Sequence, residues 1–248
     1  MKIMVFGAHD DDWDEYCGGT MMHYVQAGHQ VAVVSLTSGC NFGRASSAAE
    51  LRQKRTREFE AAAAVLGNCK TYQLDPQDGH LENTLQMRIE VARVIHDFLP
   101  DVIFTHPPDD YHPDHNAACQ LVLDASLSSY ILAVGPNLKR GGVDDRPPRQ
   151  YGPYPIIYFY DSEDGHGFLP EDYVDITGVW ESKVQMLVAH YSQYEDDVDP
   201  QTGAPQNFLV ETAEIIGRYR GLQRGVKYAE AFRLYRAAGR VHPVRLLP

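Results

Sequence analysis

The sequence predicts an α/β protein: a single Rossmann-like domain, its mostly parallel sheet flanked by helices, with the active site at the carboxyl ends of the strands. Three observations predict it. The chain has 248 residues, room for one sizeable core. Short apolar runs alternate with helical segments through its first half. Two clusters of acids and histidines follow the first and fourth of those runs, where open parallel sheets bind ligands. No repeat or linker divides the chain, so residues 1–248 read as one domain.

Lys2 to Ala8 is a buried strand ending in Gly-Ala, and Gly18 to Ala27 is a helix closed by Gly28. Gln30 to Thr37 is the second strand. After the loop SGCNFGRASS, Ala49 to Leu66 is rich in Ala, Leu, Glu and Arg and ends at Gly67, which marks a helix. Lys70 to Leu74 is a third strand, Thr84 to Phe98 a third helix, and Val102 to Thr105 a fourth strand entered through Pro100-Asp101. Strands separated by helices need crossover connections, hence a parallel sheet. A helix near Asp114 to Leu127 is followed by the Gly-, Pro- and charge-rich segment Gly135 to Tyr154, long enough to be a functional loop or a subunit contact. Strands at Ile156 to Tyr160 and Tyr173 to Ile176, a helix from Val179 to about Tyr191, and a helical region from Ala213 to Ala238 complete the reading.

The composition excludes several classes. A hydrophobic fraction of 44% with 23% charged residues is that of an ordinary globular protein. With 22 Lys+Arg against 34 Asp+Glu the net charge is −12, which disfavours nucleic acid and anionic membranes as partners. The four cysteines, Cys17, Cys40, Cys69 and Cys119, form no C-x-x-C pair and no disulfide framework, so a reducing cytoplasm is the expected compartment. The N-terminus reaches acidic residues too early for a signal-peptide core, and no apolar stretch is long enough to cross a bilayer.

The first cluster is Gly7-Ala8-His9-Asp10-Asp11-Asp12-Trp13-Asp14-Glu15. Nucleotide-binding folds place glycines in this turn to admit a pyrophosphate, whereas carboxylates there repel phosphate and suit a divalent cation. The second cluster runs from Thr105 to His115 and contains His106, Asp109, Asp110, Tyr111, His112, Asp114 and His115. Two histidines and a carboxylate drawn from such clusters form a common open metal site, with a position left for water. Pro113 suits the first helical position, so His112 and His115 point in different directions.

These segments resemble the PIG-L/LmbE family of metal-dependent N-deacetylases. The likeness lies in Ala8-His9-x-Asp11-Asp12-x-Asp14 with the trailing Cys17-Gly18-Gly19-Thr20, and in His106-Pro107 with Tyr111-His112-Pro113-Asp114-His115. It extends through Arg55-x-x-Glu58, Asp78-Gly79, Lys183, His190-x-Ser192-Gln193 and Tyr228-Ala229-Glu230-Ala231-Phe232. The resemblance implies one divalent metal, with Zn²⁺ the expected ion and Fe²⁺ the alternative that the same donors also hold, bound by His9, Asp12 and His115. It implies Asp11 as general base, His112 as proton donor or oxyanion stabiliser, and Asp114 as the residue that orients His112. The implied reaction is removal of an acyl group, acetyl above all, from the nitrogen of a small amino sugar or sugar conjugate. The leaving amine would take its proton from Asp11 or from His112. A non-sugar amide substrate, or a binding module without catalysis, is the competing reading; intact Asp11 and His112 argue against the latter.

Asp10 stands where the family usually has proline, and Trp13 is unusually bulky, so a looser and more negative turn is expected. Outside the metal cluster the candidates for substrate contact are Arg44, Asp78, Tyr111 and His190. Each also has a plain reading: surface charge, favoured Asp-Gly turn, rim residue, packing histidine. Tyr158-Phe159-Tyr160 reads as sheet core. Arg218, Arg220, Arg224, Lys227, Arg233, Arg236, Arg240 and Arg245 concentrate positive charge near the C-terminus, suited to an acidic neighbour in a homo-oligomer or to solvent.

Overall fold

The computed structural model describes residues 1–39, 41, 45, 47–131, 154–204, 206–237, 240 and 244–248. Arg44 and nearly all of the expected Gly135 to Tyr154 loop lie outside the described residues.

Among the described residues seven strands form one sheet: β1 (Lys2–Gly7), β2 (Gln30–Ser35), β3 (Cys69–Gln73), β4 (Val102–Thr105), β5 (Ile156–Tyr160), β6 (Asp172–Asp175) and β7 (Ala229–Leu234), in the order β3-β2-β1-β4-β5-β7-β6. The first five are parallel, Val5 pairing with Val33 on one side and with Phe104 on the other. β7 runs antiparallel to both β5 and β6, with Tyr160 opposite Phe232 and Tyr173 opposite Ala231. The order reverses between β1 and β4, and the crevice beyond their carboxyl ends is the ligand-binding position of such sheets.

Alternation along the strands sorts the core into two layers. Ile3, Val5, Val33 and Phe104 face α1 (Asp12–Gln26), α2 (Ala48–Val65), α5 (Trp180–Ala189) and α7 (Phe208–Arg224). Met4, Phe6, Val34 and Ile103 face α3 (Leu85–Phe98) and α4 (Pro113–Ile131). The short α6 (Tyr191–Tyr194) follows α5 across His190. Side-chain caps start three helices: Ser47 accepts from the Glu50 N–H, Thr84 from Met87 and Asn207 from Val210. As expected, Pro113 opens α4 and the aromatic run of β5 is buried in the sheet.

Two element expectations are corrected. The first helix begins at Asp12, not Gly18, and is kinked at Cys17 (φ −148°, ψ 19°). The kink frees the N–H groups of Gly19 and Thr20, which a sequence pattern reads as a helix start. The expected C-terminal helical region divides into α7 and β7. Gly225, at φ 82°, ends α7, its N–H donating to the Gly221 carbonyl at 2.8 Å. Ala, Glu and Arg in the following strand imitate helix composition; burial of Ala229 through Phe232 in the sheet overrides it.

Candidate active site

β1 delivers the first cluster through a turn that only glycine permits. A Cβ on Gly7 would lie 2.7 Å from the His9 carbonyl oxygen and 2.9 Å from Asp12 Cβ. The turn is closed by the His9 N–H donating to Asp12 Oδ2 at 2.7 Å. Asp11 occupies the N-cap of α1 yet makes no capping hydrogen bond, so the helix does not consume its carboxylate. The helix N-terminus favours that negative charge, and Arg55 Nη2 lies 3.7 Å from Asp11 Oδ1.

Asp10 does not loosen the turn. Its carboxylate is fully buried, accepts from Gln73 Nε2 at 2.8 Å and lies 3.4 Å from Arg55 Nε, so β3 and α2 both hold it. Burial pushes its carboxyl up despite Arg55. Trp13 is buried in the core beneath α1. Asp14 and His190 are both fully buried and lie 3.0 Å apart. His190, a candidate for substrate contact whose other reading is a packing histidine, takes the packing place: it stands behind the site as Asp14's partner, because the α5–α6 junction turns it inward.

β4 delivers the second cluster. Asn116 ties its loop, accepting from the Asp110 N–H at 3.0 Å and donating to the Asp110 and His112 carbonyls at 2.8 and 3.1 Å. His112 accepts the Asp114 N–H on Nδ1 at 3.1 Å, so its neutral ring carries the proton on Nε2. Asp114 therefore holds His112 through its backbone. Its carboxylate does something other than expected: it accepts from the Gly79 N–H at 2.7 Å and the Leu81 N–H at 3.3 Å, and reaches His9 Nε2 at 3.3 Å. Asp78 Oδ1 lies 3.2 Å from the same His9 nitrogen.

The clusters meet at Asp12. Its Oδ1 lies 3.4 Å from His115 Nε2, its Oδ2 3.5 Å from His9 Nδ1 and 2.9 Å from His106 Nε2. The ligand atoms of His9, Asp12 and His115 all fall within 4.8 Å of one another. Burial opposes charge on His9, but Asp12, Asp114 and Asp78 outweigh it and raise its pKa well above the usual histidine range. Burial likewise opposes charge on His115, while Asp12 and Asp110 raise it to about 9. Asp12, although buried, is held well below the carboxylate range by His115, His106 and His9. Cationic imidazoles locked among carboxylates form a charge pattern that one dication can replace, and the two-nitrogen, one-oxygen donor set fits a divalent metal.

Sequence reasoning missed Asp110. It accepts from the His112 N–H at 3.0 Å and lies 3.2 Å from His115 Nδ1, so it fixes the ring whose other nitrogen faces Asp12. Burial raises its carboxyl, but the His115 contacts dominate and hold it at about 2. Its place two residues before His112 was the available signal. His106 stacks on His115 with ring centroids 3.9 Å apart, and burial, followed by the His115 charge, lowers it to about 4. Tyr111 is 80% exposed at the rim.

Fold and site together define an α/β protein with a His/Asp metal-type centre at a topological switch point. Residues 4–126 match the PIG-L family, GlcNAc-PI de-N-acetylase, and over this half the chain is similar to the PIG-L/LmbE-like family. A diacetylchitobiose deacetylase of Thermococcus kodakarensis is 28% identical over 242 residues, spanning 94% of this chain and 82% of that one. The structure of the N,N′-diacetylchitobiose deacetylase of Pyrococcus horikoshii superposes with a TM-score of 0.78 at 27% identity, over 94% of this chain and 83% of that one. A 4-oxalmesaconate hydratase of Pseudomonas putida is 25% identical over 90% of this chain and 88% of that one.

Proposed function

We propose that the chain is a single-domain, metal-dependent hydrolase that removes the N-acetyl group from an amino sugar or sugar conjugate. The observation that carries this reading is the convergence of His9, Asp12 and His115 beside two groups left available for chemistry. These are the uncapped carboxylate of Asp11 and the Nε2 side of His112. The deacetylase relatives support the reaction class.

His9, Asp12 and His115 would hold the cation, which supplies polarisation of the acetamide carbonyl and acidification of water. Zinc is the expected ion, and Fe²⁺ suits the same donors. Asp11 takes the proton of the attacking water as the new C–O bond forms. His112 offers its Nε2–H to the developing oxyanion. The C–N bond breaks once the nitrogen has gained a proton from Asp11 or His112, and acetate and a free amine leave. Asp78 and Tyr111 are proposed to meet sugar hydroxyls at the mouth, and Arg44 is a further candidate from its loop. A reducing cytoplasm and a homo-oligomeric assembly complete the proposal.

The hydratase relative favours a second reading, addition of water to an unsaturated polycarboxylate. Such a substrate needs cations at the mouth. Among the described residues, the cation beside the site is Arg55, which is buried and shared by Asp10 and Asp11, whereas Asp78 and Asp114 make the mouth acidic. A neutral acetamide suits this charge better. Metal-loaded protein should release acetate from a panel of N-acetylated sugars and leave unsaturated polycarboxylates unchanged. Hydration without acetate release would overturn the assignment, and release confined to non-sugar amides would replace the sugar substrate.

A further inference from the structure

Two buried arginines fasten the two ends of β5. Before the strand, Arg240 donates to the Pro155 carbonyl at 2.9 Å and to Ser126 Oγ at 3.0 Å. Beyond its carboxyl end, Arg220 of α7 holds Asp161 at two points, Nε to Oδ2 at 2.6 Å and Nη2 to Oδ1 at 2.9 Å. Gln223 fixes the rest of that guanidinium, accepting from Nη1 at 3.0 Å. Arg220 and Asp161 are 2% and 3% exposed, so water screens neither charge. A buried ion pair adds little net stability over apolar packing of the same volume, but a two-point Arg–carboxylate contact fixes position sharply.

The fixed segment leads to the His/Asp centre. Asp161 Oδ1 also accepts the Ser162 N–H at 3.0 Å, and the Ser162 hydroxyl donates to the His166 carbonyl at 2.6 Å. Within this turn Asp164 lies at φ 55° and ψ 14°, a left-handed conformation that costs a non-glycine residue free energy. Such a conformation persists where its surroundings impose it. The turn presents the Glu163 N–H, which donates to Asp110 Oδ2 at 3.1 Å. The other oxygen of Asp110 accepts the His112 N–H at 3.0 Å and lies 3.2 Å from His115 Nδ1. Asp110 is thus held from two sides, by its own loop and by the turn after β5. Without the Glu163 donor its carboxylate keeps the contacts of one oxygen only and can swing, carrying the His115 ring with it.

We propose that Arg220 is a positioning residue for the metal centre: through Asp161 it sets the Glu163 N–H against Asp110, and so orients the His115 ring whose other nitrogen faces Asp12. It acts from α7, a helix that contributes none of the proposed ligands. The consequence for metal binding rests on the metal reading above; the chain of contacts from Arg220 to His115 does not.

Zinc competition against a chelator reads the consequence, and NMR of the metal-free full chain reads the geometry. In Arg220→Met the Glu163 amide should exchange with solvent at least about tenfold faster. The ring-nitrogen signals of His115 should shift, and zinc affinity should fall about tenfold. Arg220→Lys, which keeps the charge but not the two-point contact, should fall between Arg220→Met and wild type. Arg240→Met removes a similarly buried arginine from the other end of β5 and should leave zinc affinity and the His115 signals as in wild type. If Arg220→Met fails to fold because Asp161 is left charged and alone, the double variant Asp161→Asn, Arg220→Met removes both charges and carries the same expectations. A folded variant of either kind with wild-type Glu163 exchange and zinc affinity would overturn the proposal. So would an Arg240→Met chain that loses zinc affinity equally, since the effect would then be one of general stability. A wild-type chain that binds no zinc would overturn the metal reading instead. The His115 signals of the metal-free chain then decide the positioning, and their staying unchanged in Arg220→Met would overturn it.

Discussion

Asp11 and Asp12 are neighbours with opposite environments. Asp12 closes the β1 turn and is surrounded by His9, His106 and His115, which suits it to the proposed place of a ligand. Among the described residues Asp11 has the more distant Arg55 beside it and makes no capping bond, which suits it to the proposed role of base. Replacing Asp11 by Asn removes the proton acceptor while leaving the three ligands, so turnover is expected to fall about 10²- to 10⁴-fold at unchanged metal content. Acetate release paired with elemental analysis measures both, and full activity would refute the base assignment. Asp110→Asn loosens His115 instead. Metal affinity is expected to drop about 10- to 100-fold in a chelator competition, and an unchanged affinity would show that Asp110 does not position the ligand. His9, Asp12, His112 and His115 were legible because their residue types are costly to gather without a purpose. The role of Asp110 was not, and for His190 substrate contact and packing stayed open, since both depend on which way a loop or helix junction turns a side chain, and local sequence does not encode that direction.

The kink in α1 is held from across the molecule. Glu230 on β7 accepts from the Gly19 N–H at 2.9 Å, and from the Thr20 N–H and hydroxyl at 2.7 and 2.6 Å. Lys183 on α5 donates to Glu230 at 2.6 Å and to the Glu15 carbonyl at 2.6 Å. The Cys-Gly-Gly-Thr, Lys183 and Glu230 matches to the family are thus one structural device, capping a broken helix whose first turn carries Asp11 and Asp12. Glu230→Ala strands a buried ammonium and two N–H groups, and is expected to cost about 3–5 kcal/mol in denaturant unfolding. A loss below about 1 kcal/mol would mean that the kink needs no such support. The βα units of the first half were readable because apolar runs, Gly stops and Pro entries agreed with one another. The boundaries of α1 and of α7 with β7 were not readable, because a long-range cap and sheet burial overrule local composition there.

At the scale of the whole molecule, the reversal between β1 and β4 brings residues about a hundred positions apart into one charged centre. Without a cation that centre stores protons. The His115 pKa is raised to about 9 from an ordinary 6.5, so its contribution to stability is complete below pH 6.5 and is lost as the pH rises through 9. The His106 pKa is lowered to about 4, so its contribution is present above pH 6.5 and is lost as the pH falls toward 4. Metal-free protein is expected to be most stable near pH 6.5 in thermal melts at varied pH, and a monotonic profile would contradict this pairing. A metal bound by His115, as proposed, would displace its proton, so affinity should rise with pH up to about 9 and calorimetry should detect proton release. The parallel half of the sheet and its switch point followed from strand–helix alternation. The antiparallel β7 did not, because only its partners β5 and β6 distinguish it from a helix.

The net charge of −12 disfavours polyanionic partners, and part of it lies in the carboxylates that surround His9 and His115. The central claim is that this centre hydrolyses an N-acetyl amide. Incubating zinc-loaded protein with N,N′-diacetylchitobiose and quantifying acetate and free amine tests it most directly. The two products should appear in equal amounts, and chelation should abolish both. Intact substrate in the presence of a fully metal-loaded, folded protein, alongside hydration of an unsaturated polycarboxylate, would contradict it.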